Sequence, residues 1–116
     1  PMDRLELLLS SGLIAQDTCE KARKVDACLT ERFGWSEKIE MFVTHYAMAL
    51  ERRQNEEVIE GLHEEAVAEI YKNPDFEICR LLLEELESLT ASGLSATEEQ
   101  FILIHLLNIV NENKNK

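Results

Sequence analysis

Met41-Phe-Val-Thr-His45-Tyr-Ala-Met-Ala-Leu-Glu-Arg52 decides the fold class. With Ile39 before it, apolar side chains fall at Ile39, Phe42, Val43, Tyr46 and Leu50, the three-and-four spacing that buries one side of an α-helix. Met41, His45, Met48 and Arg52 form a second stripe beside that core face. His45 is therefore expected at a boundary, packed on one side and reachable on the other. Ser36 is the expected N-cap of this helix, which runs to about Gln54.

The same period recurs on both sides. A short helix is expected from Asp3 to Ser10, broken by Ser10-Ser11-Gly12, and a second from about Asp17 to Phe33. The second helix buries Ala22, Val25, Leu29 and Phe33 and stops at Gly34, because glycine accepts the left-handed conformation just past a helix end. Asn55 to Glu57 reads as a bend, followed by a fourth helix to about Tyr71 with Val58, Leu62, Ala66 and Ile70 inward. Asn73-Pro74-Asp75 is a turn, since proline disfavours helical backbone in the residue before it. A fifth helix then buries Phe76, Cys79, Leu83 and Leu86 up to about Leu89, and a last one runs from a Ser95 or Thr97 cap to about Val110. Ser95-Ala-Thr-Glu98 matches the capping box, and the tail from Asn111 is expected to fray. The expected architecture is all-α: one compact bundle of about five helices plus a short N-terminal helix, over residues 1–116.

Composition narrows the function classes. Residues 1–55 hold 8 basic and 9 acidic side chains, whereas residues 56–116 hold 4 and 14, so nearly all of the net charge of −11 lies in the second half. A surface this negative repels phosphate backbones, so direct nucleic-acid binding is not expected. No apolar run approaches the roughly 18 residues that span a bilayer, and no secretion signal is evident. Cys19, Cys28 and Cys79 are odd in number and lack a CxxC spacing, which argues against a zinc site or disulfide framework and for a reducing, cytoplasmic setting.

Two histidines stand out. His45 has Arg52 seven residues on, and His105 has Glu98 seven residues before it, with Asn108 on the same side. Seven residues is two helical turns, about 10.5 Å along the axis: one face, but a long reach for a direct contact. An arginine can hold an anion placed on an imidazole, and a carboxylate can fix which ring nitrogen is free. Either pair is free to meet through another helix. His63, among acidic neighbours, reads as a surface residue. A zinc site from His45, His105 and a carboxylate is the weaker reading, because the ligand spacings of helical metal sites are missing. Neither a P-loop nor a GxGxxG is present; no catalytic residue, metal or cofactor is expected, and the chain is not expected to be an enzyme.

Phe42-Val-Thr-His45-Tyr-Ala-Met-Ala-Leu-Glu-Arg52 resembles the first histidine motif of the PTS regulation domain (PRD) family, and Glu98-Glu-Gln-Phe101-Ile-Leu-Ile-His105-Leu-Leu-Asn108 resembles the second. Asp75-Phe-Glu-Ile-Cys79 falls where the family carries a middle motif, and the likeness spans about residues 36–110. The resemblance implies a five-helix bundle, usually a homodimer, of the kind found in bacterial antiterminators and activators that sense sugar supply. Its implied partners are the phosphocarrier HPr or an enzyme II component of the sugar phosphotransferase system. His45 and His105 would be the phosphorylation sites, with Arg52, Glu98 and Asn108 in support. Within 116 residues it implies a stand-alone module acting on an unknown output protein. The alternatives are a dimerisation scaffold without phosphorylation and a metal-dependent helical hydrolase. Glu98 and Glu99 precede His105, whereas His45 has Arg52, so His45 is the better expected acceptor.

Overall fold

A computed structural model describes residues 3–114. It contains α1 (Arg4–Ser10), α2 (Gln16–Phe33), α3 (Glu37–Gln54), α4 (Glu64–Lys72), α5 (Phe76–Thr90) and α6 (Ala96–Lys114), with no strand among the described residues. The four long helices close a ring: α2 packs on α3, α3 on α6, α6 on α5 and α5 on α2. The short α1 lies across α2 and α3, and the short α4 across α5 and α6. The chain is thus two consecutive units, each a short helix and two long ones, joined side by side through the α2–α5 and α3–α6 contacts. The all-α expectation holds.

The core is the sum of the apolar stripes. Leu29, Ile39, Phe42, Tyr46, Leu86, Ile102, Leu106 and Ile109 are fully enclosed. Deletion of any of the larger apolar side chains among them would cost about 2–5 kcal/mol. Phe33 and Phe76, expected in the core, are only half-buried at its margin; Phe76 packs on the Tyr71 ring at 4.9 Å between centroids.

The caps follow local chemistry. Asp3 Oδ1 accepts the Glu6 N–H at 2.8 Å, and Ser36 Oγ accepts the Ile39 N–H at 3.2 Å. At the start of α2 the N-cap is Ala15, which has no side chain to offer. Glu51 of α3 supplies the acceptor instead: its Oε1 takes the Ala15 N–H at 3.0 Å and the Thr18 hydroxyl at 2.7 Å. The Ala15 N–H is the main reason its carboxyl lies below the usual range.

Two boundaries differ from expectation. The fourth helix begins at Glu64, and Val58, expected inward, is 91% exposed. The cause is the way α3 ends. Glu56 takes a left-handed conformation with φ of 58°, its N–H reaches the Arg53 carbonyl, and the Glu57 N–H reaches the Arg52 carbonyl at 2.8 Å. This paired closure, usually built on glycine, turns the chain away from helix until His63. The last helix, expected to end near Val110, continues to Lys114. Tertiary ion pairs hold its final turn: Lys38 to Glu112 at 3.3 Å and Lys114 to Asp75 at 2.7 Å. Residues 115–116 of the tail expected to fray lie outside the described residues.

Candidate functional site

The α3–α6 contact is a ladder with a period of seven. Lys38, His45 and Arg52 are two turns apart on α3; Glu98, His105 and Glu112 are two turns apart on α6. The helices run antiparallel, so each step forward on α3 meets a step back on α6. Lys38 Nζ lies 3.3 Å from Glu112. The rings of His45 and His105 stack with centroids 4.4 Å apart and planes 8° from parallel. Arg52 Nε donates to Glu98 Oε2 at 2.7 Å and Nη2 to Oε1 at 3.0 Å. A histidine pair therefore sits between two ion pairs, on one seam between the two units of the fold.

The two ion pairs differ in strength. Lys38 is more than half exposed and Glu112 half-buried, so water screens this rung more than the other. The Glu98 side chain is only 6% exposed and that of Arg52 28%. Its two-pronged geometry matches both carboxylate oxygens at once. The hydrogen bond to Glu98 also raises the Arg52 pKa above its ordinary value. Ser95 Oγ accepts the Glu98 N–H at 3.3 Å, so the expected capping serine is in place. The Glu98 carboxylate, however, turns across the seam to Arg52 instead of back along its own helix.

The histidine rung is asymmetric. His45 is exposed and His105 half-buried. Burial first, and the neighbouring His45 ring second, lower the His105 pKa. That favours a neutral ring with a free lone pair, the form needed for nucleophilic attack or proton transfer. Stacking occupies the ring faces and leaves the nitrogens at the ring edges.

The four residues expected to matter most thus converge, but crosswise. Arg52 serves Glu98, and His45 serves His105; neither meets its sequence partner seven residues away. Asn108 is exposed one turn beyond His105, with no hydrogen bond to the ladder among the described residues. Lys38 and Glu112 were missed. Their signal was the same interval of seven continued one step outward on each helix. Behind the seam, Glu99 of α6 meets Glu87 of α5. Burial and the hydrogen-bonded Glu87 carboxyl push Glu99 up to about 7. Glu87 is held by the Leu94 N–H at 2.7 Å.

Among the described residues, no three histidine, cysteine or acidic side chains are grouped to hold a metal ion, and no helix is long and apolar enough to cross a membrane. Compared with family models, curated proteins and solved structures, the chain matches none.

Proposed function

We propose that this chain is a PRD-like regulatory module of the bacterial sugar phosphotransferase system, working in the cytoplasm. The stacked pair His45–His105 accepts a phosphoryl group from a phosphohistidine carrier, HPr or an enzyme II component. The observation that carries the reading is the stack itself. Two imidazoles that the sequence places 60 residues apart meet at 4.4 Å on an accessible seam, each in a segment that resembles one of the two histidine motifs.

The chemistry is direct phosphoryl transfer. An unprotonated ring nitrogen of His45 attacks phosphorus as the P–N bond to the carrier's imidazole breaks; the electron pair of that bond returns to the carrier ring, which takes up a proton, and the other His45 ring nitrogen gives one up to solvent. His45 is the exposed ring and therefore the one a carrier protein reaches. The new group adds negative charge and strong acceptor oxygens between two rungs whose cations are already engaged. Lys38 and Arg52 can answer it only by loosening Glu112 and Glu98. The seam joins the two helical units, so this exchange alters how they sit together and thereby a homodimer contact or the surface offered to an output protein.

Incubation with enzyme I, HPr and phosphoenolpyruvate, with and without enzyme II components, tests the reading. Phosphate is expected on His45 in preference to His63, and the His45→Gln variant should lose most of the label. Absence of label from every donor would overturn it.

A further inference from the structure

The stack constrains how many phosphoryl groups the site can hold. We infer that His45 and His105 form one site of single occupancy, in which a phosphoryl group on either ring excludes a second from the other. The inference rests on the phosphoryl-acceptor reading above but makes a separate claim: two histidines, one modification.

The argument is geometric and electrostatic. With ring centroids 4.4 Å apart and planes nearly parallel, phosphoryl groups on both rings would place two multiply charged anions side by side, where repulsion is strong and little screened. The cations of the ladder cannot neutralise both. On α3, Lys38 and Arg52 flank the stack, each already bound to a carboxylate. On α6, Glu98 and Glu112 flank it with negative charge. The charges that engage α6 from other elements, Glu87 at Glu99 and Asp75 at Lys114, act at the two ends of the helix, away from the stack.

A second effect works in the same direction. The first phosphoryl group favours a proton on the neighbouring imidazole, because an anion beside a base stabilises its charged form. A protonated ring has no lone pair with which to attack phosphorus. The unmodified histidine thus becomes the counter-charge of the modified one. That gives both rings a role although only one carries phosphate.

Phosphoramidate is the probe, because it phosphorylates imidazole without a protein partner. In that step a ring nitrogen bonds to phosphorus, the P–N bond of the reagent breaks and ammonia leaves; the other ring nitrogen gives up its proton to solvent. His63, exposed at the start of α4, is an internal reference. The folded wild-type chain should carry phosphate on His45 or His105. Chains modified at both should be at least about tenfold rarer than the product of the single occupancies, a deficit expected from close repulsion of like charges. Chains modified at His63 and one of the pair should occur at that product. In concentrated urea the deficit should vanish, and His45→Gln and His105→Gln should each retain label on the remaining ring.

Double modification of the folded pair at the product frequency would overturn the inference, as would a folded chain labelled at His63 alone. If phosphoramidate gives single occupancy while no carrier protein labels the chain, the single-site inference stands and the phosphotransferase reading fails.

Discussion

Arg52→Gln isolates what the buried end of the ladder contributes. The substitution leaves the Glu98 carboxylate, 6% exposed, without its two charge-assisted hydrogen bonds. Removing one partner of a fully buried ion pair costs about 3–5 kcal/mol. The Arg52 side chain is 28% exposed, so water can enter the space it vacates, which lowers the expected cost to about 2–3 kcal/mol. The reverse change, Glu98→Gln, leaves a guanidinium that can turn to solvent, and should cost about 1 kcal/mol. Arg52→Leu/Glu98→Leu removes both charges together and should recover about 2 kcal/mol relative to the sum of the two single leucine variants. Urea unfolding followed by far-ultraviolet circular dichroism measures all of these. With a slope of about 1.5 kcal/mol per molar for a chain of this size, Arg52→Gln should lower the midpoint by about 1.5 M. Equal losses for Arg52→Gln and Glu98→Gln, or a coupling below about 0.5 kcal/mol, would refute the claim that the pair is a desolvated, mutually dependent unit.

Glu99, pushed up to about 7, binds protons more tightly folded than unfolded. Its contribution is complete below the ordinary glutamate value and is lost as pH rises through about 7. Glu99→Gln should therefore match wild type near the acid limit and gain about 1 kcal/mol at alkaline pH, a figure already reduced for the solvent exposure of the pair; thermal melts across pH measure this. His105, lowered by burial and by His45, acts oppositely: its contribution is present above the ordinary histidine value and fades as pH falls, a slope that His105→Gln should remove. Glu51→Ala should cost about 1–2 kcal/mol, because it leaves the Ala15 N–H and the Thr18 hydroxyl without their acceptor at the start of α2. Hydrogen exchange should rise first in that turn. Tyr46→Phe should be neutral or stabilise by up to about 1 kcal/mol, since the enclosed Tyr46 hydroxyl makes no hydrogen bond of good geometry among the described residues, although the Thr90 side chain lies close by; a loss well above that range in urea unfolding would refute this.

Helix existence was legible wherever the apolar period ran long enough. The stripe Ile39, Phe42, Val43, Tyr46 and Leu50 is buried as its spacing required, and Ser36 and Gly34 mark ends where their side chains, or lack of one, demanded it. Val58 failed because its place depends on a glutamate in left-handed conformation at Glu56, which residue type does not announce. The end of α6 was missed for a different reason. Its last turn is held by Lys38 and Asp75, residues far away in the sequence. The start of α2 likewise depends on Glu51, a cap from another helix that local reading does not reveal.

The candidate site divides along the same line. By itself the sequence determined that His45 shares a face with Arg52 and His105 with Glu98, since two turns of any α-helix return a residue to the same side. It also placed His45 beside the core stripe of its own helix. Only the tertiary structure decided who meets whom. Side chains about 10.5 Å apart along one helix do not readily touch, but two antiparallel helices with the same interval of seven bring their rungs into register. That packing set imidazole against imidazole and guanidinium against carboxylate. It made the two histidines neighbours within one seam, with Lys38 and Glu112 completing the ladder at its open end.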